Sequence, residues 1–205
     1  MSSSPHRYFI LNKPYNMVSQ FVSTHAVNLL SDIGFNFPEG VHAIGRLDNL
    51  SEGLLLLTTN KKITRLLFEA KTPHKRTYLV LVNHAVTEER LQLLREGIKF
   101  RIRGGEYYTS APCEAEIVVQ PEISFPSPYV MTKNIPYTWL RITLTEGKFH
   151  QVRKMVAAIH HRCKRLIRIS IEDLELGDLQ PGCIKEIAEN DFFKQLKIDS
   201  HSLTC

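Results

Sequence analysis

Four consecutive leucines at positions 54–57 follow a polar, turn-rich stretch, Gly45-Arg46-Leu47-Asp48-Asn49-Leu50-Ser51-Glu52-Gly53, which is itself preceded by apolar Val41, Ala43 and Ile44. A short uninterrupted apolar run bounded by turn residues reads as a strand buried in a core. Residues 41–57 therefore read as strand, loop and buried strand, so that two buried arms aim the loop rigidly. Polar residues placed on such a loop are functional more often than loop residues in general. Asp48 stands at the throat of this hairpin, with Arg46 two residues before it. The structural alternative is an aspartate that closes a turn through its own backbone.

The rest of the chain supports an ordinary globular frame for that loop. With 43% hydrophobic and 23% charged residues, the composition argues against disorder and low complexity. A length of 205 residues buries a core as one domain or two small lobes without staples. No apolar run approaches the roughly 18 residues of a membrane span, and the start MSSSPHRYF lacks the apolar centre of a signal peptide, so the expected location is the cytoplasm. Cys113, Cys163, Cys183 and Cys205 lie far apart without a CxxC pair, which suits reduced thiols and indicates neither a zinc site nor a disulfide framework. The adjacent His160 and His161 cannot offer both rings to one metal from one helical face. No metal or cofactor is expected.

The net charge of +5 gains meaning from where it sits. Residues 141–170 hold eight cations, Arg141, Lys148, Arg153, Lys154, Arg162, Lys164, Arg165 and Arg168, against Glu146 alone, a local +7. The remaining chain is slightly acidic. A cationic stripe in a protein of pI 9.0 suits a polyphosphate partner, a solvated basic face being the plainer reading.

Along the chain, residues 7–13 read as a strand stopped by Pro14, and an amphipathic helix begins near Asn60 with Ile63, Leu66, Leu67 and Phe68 near one face, ended by Lys71-Thr72-Pro73. Residues 75–82 read as a strand. A helix follows with Thr87 as N-cap and Gly97 as its stop. Strands are expected at 98–101 and 114–120, and the four prolines between 120 and 137 mark an irregular segment, either a functional loop or a crossing between lobes. Next comes a half-buried strand with Leu140, Ile142 and Leu144 on one side and Trp139, Arg141 and Thr143 on the other. The period then switches, placing Val152, Met155, Val156 and Ile159 on one helical stripe, with Arg153 at its border and Lys154 and His161 pointing away. Strands at 166–171 and 174–176, a turn at Pro181-Gly182 and a helix at 191–196 complete the reading. Strands outnumber helices and alternate with them irregularly, which favours an α+β fold with a largely antiparallel sheet.

Three stretches taken in order, GRLD at 45–48, RTYLV at 76–80 and EGKFHQVRK at 146–154, resemble the pseudouridine synthases of the ribosomal small-subunit synthase A family and its large-subunit relatives. That family carries GRLDxxSEGLLLLT, a KxY strand and EGxxxQVRxM, and the resemblance runs from Tyr8 to Ile187. The stretches LNKPYNMVSQF and KNIPYTWLRITLTEG are most similar to the large-subunit synthase E branch. The resemblance implies a pseudouridine synthase catalytic fold, a largely antiparallel mixed sheet with flanking helices and two lobes around a central cleft. It also implies a single catalytic domain over 1–205, with its core at roughly 7–190, and no separate N-terminal S4-type RNA-binding domain.

The implied chemistry is the isomerisation of uridine to pseudouridine in ribosomal RNA, most naturally 23S rRNA or a pre-ribosomal particle, by a monomer. The bond from N1 to the sugar must break, the base must turn, and C5 must rejoin the sugar. A carboxylate can assist by adding to the sugar or the ring, or by helping remove a sugar proton. Burial pushes a carboxylate pKa up, while a guanidinium in hydrogen-bonding reach lowers it by about 1 to 3 units, so a nucleophilic aspartate needs an arginine partner. By resemblance Asp48 is the nucleophile, Arg153 its partner, and Tyr78 the ring that stacks on the extruded uracil. Arg46 supports the flipped nucleotide, and Lys148, Gln151 and Lys154 belong to the substrate contacts. Asn49-Leu50, Arg76 and Phe149-His150 depart from the family's usual residues, but none of these departures removes a catalytic group. A non-catalytic RNA-binding or ribosome-assembly module keeping the fold is the alternative, and a glycosidase pairing Asp48 with Glu52 is a third possibility.

Overall fold

The computed structural model describes residues 5–68, 73–102, 104–119, 121, 123 and 125–198. Its elements in chain order begin with β1 (Tyr8–Lys13), β2 (His42–Ile44), β3 (Glu52–Thr58), α1 (Ile63–Phe68), β4 (Arg76–Asn83), α2 (Glu88–Glu96), β5 (Lys99–Arg101) and β6 (Tyr107–Thr109). They continue with β7 (Glu114–Val118), β8 (Tyr137–Leu144), α3 (Gln151–Ala158), β9 (Cys163–Ile171), β10 (Leu174–Glu175), β11 (Ile184–Ile187) and α4 (Glu189–Gln195). The fold is α+β, and every strand ladder whose register is resolved runs antiparallel. The chain forms two compact units, one joining the part before Lys75 to the part from Arg168 onward, the other comprising Lys75–Ile167.

In the first unit β3 is paired on β1 and on β2, and β1 pairs in turn with β11. All seven residues of β3 are buried, as the leucine run requires. Full burial of each leucine is worth roughly 1.5–3 kcal/mol, which makes this strand the main apolar anchor of its unit. The antiparallel register sets Tyr8 opposite Thr58 and Lys13 opposite Gly53. It therefore delivers the end of β1 to the point where the 45–51 loop enters β3. Tyr8 closes the other end: its ring packs on Phe192 and Phe193 of α4, and its hydroxyl donates to Glu189 at 2.7 Å.

In the second unit β4, β8 and β7 form consecutive ladders, with Tyr78 opposite Ile142. The alternation expected for β8 is observed, Leu140, Ile142 and Leu144 being buried. They join Val152, Met155, Val156 and Ile159 of the α3 stripe in one core. Thr87 occupies the N-cap of α2, and a hydrogen bond with its side chain holds the Glu89 carboxyl below its usual range. Gly97 ends that helix at φ +98°, and a Cβ there would meet the Ser110 carbonyl oxygen at 2.4 Å. The segment after β7 has neither helix nor strand among its described residues until β8. Residues 71, 72 and 120, where the first helix and a strand were expected to end, and Cys205 lie outside the described residues.

Three expectations need correction. His161 does not point away from the core but is 2% exposed. Its Nδ1 lies 2.7 Å from the Asn83 carbonyl and its Nε2 lies 3.0 Å from Arg90, because the chain leaves the helix after Ala158 and folds inward before β9. A carbonyl only accepts and a guanidinium only donates, so Nδ1 carries the proton. The cationic stripe is not all surface either: Arg165 and Arg168 are each 3% exposed. Arg165 donates to the Pro126 carbonyl at 3.1 Å, and Arg168 donates from Nε to the Leu54 carbonyl at 2.7 Å. Finally, β6 and β11 were not foreseen; each is short and lacks an apolar run.

Candidate active site

The 45–51 loop begins with Gly45 at φ +70°, a conformation that other residues adopt only with strain. Arg46 is exposed, whereas Leu47 is buried. A single hydroxyl fixes Leu47 from both sides: Ser19 Oγ donates to its carbonyl and accepts from its amide, each at 3.0 Å. The Ser51 amide donates to the Asp48 carbonyl at 2.9 Å, so main chain closes the turn from Asp48 to Ser51. The Asp48 side chain is half-buried.

On the other flank stands a residue that the sequence reading did not single out. Lys13 is fully buried. Its Nζ donates to the carbonyls of Met17 at 2.6 Å, Pro14 at 2.8 Å and Asn49 at 3.4 Å. Burial pushes the lysine down to about 7, against the carboxylates of Glu52 and Asp48, which favour the ammonium, while Arg168 adds to the depression. Asp48 is thus bracketed by two neighbours whose main chain is held by buried side chains, Leu47 by Ser19 and Asn49 by Lys13. The stretch LNKP carried the signal, since a lysine closing an apolar strand has to find carbonyl or carboxylate partners once that strand is buried. Glu52, 2% exposed, is one of those counter-charges. That placement removes the glycosidase reading, which needs Glu52 open to a sugar.

The second unit holds the other two motifs. Tyr78 is half-buried on β4 and packs against the unit's core. Two residues earlier on the same strand, Arg76 lies over Gly147: a Cβ at 147 would come within 2.8 Å of a guanidinium nitrogen. The glycine of the third motif therefore makes room for the arginine of the second. Glu146 accepts from the Ala111 amide at 3.1 Å, from the Tyr108 hydroxyl and from the side-chain amide of Gln151. The side chain of Gln151, 4% exposed, accepts from the Lys148 amide at 2.8 Å, and the main-chain amide of Gln151 donates to the Lys148 carbonyl at 3.0 Å. Its side chain is thus committed to shaping the turn at 148–151. Lys148 is exposed with Nζ 4.7 Å from the Tyr108 ring centroid, and half-buried Lys154 places Nζ 5.5 Å from that of Phe149. Arg153 is half-buried on α3, with one guanidinium nitrogen 3.6 Å from Cys163 Sγ. Among the described residues no group of three or more His, Cys, Asp or Glu side chains is placed to hold a metal ion, and no helix is long and apolar enough to cross a membrane.

The α+β fold and the three motifs together match one class of RNA-modifying enzyme. The family model described as RNA pseudouridylate synthase matches residues 7–158, and the chain belongs to that family. It is 40% identical over 182 residues to "Ribosomal large subunit pseudouridine synthase E" of Vibrio parahaemolyticus serotype O3:K6, a match spanning 88% of this chain and 74% of that protein. The protein of the same name from Xanthomonas axonopodis pv. citri is 35% identical, over 84% of this chain and 89% of its own length. A solved structure, "Crystal structure of pseudouridylate synthase", superposes with a TM-score of 0.75 at 26% identity, covering 96% of this chain and 76% of that one. Within the family, the chain's similarity is thus strong to the synthase E branch.

Proposed function

We propose that this chain converts one uridine of 23S rRNA to pseudouridine, with Asp48 as the nucleophile. The reading rests above all on the bracketing of Asp48, whose neighbours on both sides are held by the buried side chains of Ser19 and Lys13. A loop fixed in that way spends none of its binding energy on ordering the reactive carboxylate. In the proposed reaction Asp48 assists cleavage of the bond between N1 and C1′ of the ribose. The freed base turns, C5 bonds to C1′, the proton leaves C5, and N1 ends protonated, so the product is an isomer of the substrate.

Arg153, half-buried on α3, is the catalytic cation of this reading. Tyr78 stacks on the extruded uracil, and its hydroxyl helps remove the C5 proton. Arg46, exposed beside the nucleophile, offsets part of the few kcal/mol that unstacking a base costs. Lys148 and Lys154 hold backbone phosphate, and Gln151 keeps their turn in shape. The protein acts as a monomer in the cytoplasm, a location in keeping with cysteines too scattered for a disulfide framework.

The test is to map pseudouridines in rRNA from cells with and without this protein. The expected result is the loss of a single 23S position in the deletion strain, restored by the wild-type chain. An unchanged map would favour the non-catalytic RNA-binding alternative.

A further inference from the structure

Phe149 and His150 form the tip of the turn at 148–151. Phe149 is 66% exposed, although its ring is among the largest apolar groups of the second unit. Single exposed apolar residues are common and need no explanation in themselves. Three features set this one apart. The turn beneath it is closed in both directions by Gln151, which is itself fixed to Glu146. The His150 ring stacks on it with centroids 3.9 Å apart and planes 17° apart. His150 adopts the left-handed backbone conformation, φ +55° and ψ +31°, at the N-cap of α3.

The result is a pair of parallel rings raised on a hydrogen-bonded polar base, with the Lys154 ammonium 5.5 Å from the Phe149 ring centroid, while the ammonium of Lys148, the preceding residue, lies over the Tyr108 ring. Flat aromatic faces beside cations are the chemistry that receives an unpaired nucleobase and its phosphate, because every base has a π-face and stacking tolerates any sequence. A protein partner of the same patch would need apolar surface around the ring, whereas both immediate neighbours in the turn, Lys148 and His150, are polar.

We propose that the Phe149-His150 pair is a stacking platform for an unpaired base of the RNA substrate, separate from the uridine that is isomerised. The inference rests on the RNA-modifying reading above. The platform holds RNA rather than performing chemistry, so it acts on affinity.

The experiment compares the wild-type chain with Phe149→Ala, Phe149→Leu and Phe149→Trp. One arm measures binding and fluorescence quenching of a short single-stranded RNA carrying one 2-aminopurine. The other measures KM and kcat on unmodified 23S rRNA transcripts. Phe149→Ala and Phe149→Leu are expected to weaken binding roughly 5- to 100-fold, the range for loss of one stacked base, and to abolish quenching. Phe149→Trp should retain both, and the losses in turnover should fall on KM rather than kcat. Because the side chain lies outside the core, thermal melts of all four proteins should coincide.

Absence of quenching by the wild-type protein overturns the inference, as does unchanged RNA affinity in Phe149→Ala, or rescue by leucine equal to that by tryptophan. Unchanged affinity for naked RNA with weakened binding to pre-ribosomal particles also overturns it and assigns the patch to a protein. If the wild-type chain quenches 2-aminopurine yet makes no pseudouridine, the catalytic reading fails while the platform stands.

Discussion

The hydroxyl of Ser19 donates to the carbonyl of Leu47 and accepts from its amide, both at 3.0 Å, so one buried side chain satisfies both main-chain groups of the residue preceding Asp48. In a Ser19→Ala variant both groups would be left buried without that partner, at a cost of about 1–3 kcal/mol for each. The loop would also lose its aim, and displacement of a reacting group by about 1 Å costs on the order of 100-fold in rate. Ser19→Ala is therefore expected to unfold at lower urea and to form pseudouridine about 10- to 100-fold more slowly, while binding RNA as before.

Lys13 makes stability depend on pH with a definite sign. An unfolded lysine keeps its proton up to its ordinary 10.5, whereas in the fold burial lowers the value to about 7. Between these limits the unfolded state binds more protons, so this group lets stability rise with pH from about 7 upward. Below 7 its full penalty is present. The slope from this one group is at most about 1.4 kcal/mol per pH unit. The difference in urea midpoint between wild type and Lys13→Met should change across that range, the wild type gaining on the variant as pH rises. A constant difference would contradict the assignment.

At Gly97 the constraint is steric. A methyl group there would press on the Ser110 carbonyl oxygen at 2.4 Å, in a backbone conformation that L-residues rarely adopt. Since the obstacle is main chain and cannot swing aside, Gly97→Ala is expected to lose about 2–4 kcal/mol, read as a drop in melting temperature. Gly105→Ala, where the same methyl meets nothing within 4 Å, should lose less.

The leucine run, the alternation of β8 and the period switch into α3 were legible because each is a burial pattern, and burial is what selects apolar residues. The short strands β6 and β11 were not, since their residues are mostly exposed and their existence depends on a partner distant in sequence. His161 was misread for a related reason. Its burial depends on Asn83, 78 positions away, and on Arg90, which no local periodicity reveals. The 45–51 loop was visible as a polar turn between two buried strands, but its supports were not. Ser19 and Lys13 reach the loop across 28 and 36 positions, and only the register of β1 on β3 brings Lys13 there. The exposed Phe149 marked itself as a departure from the family pattern without disclosing that its turn is rigid.

The central claim is that the carboxylate of Asp48 performs chemistry; the turn from Asp48 to Ser51 is closed by main chain. Asp48→Asn keeps the size and removes the charge. Single-turnover pseudouridine formation on unmodified 23S rRNA by this variant, at enzyme concentrations that saturate RNA binding, is the direct measurement. No product above background, with RNA affinity and melting temperature close to wild type, is the predicted result; product formation within about tenfold of the wild-type rate, far short of the loss that removing the reacting carboxylate brings, would contradict the account.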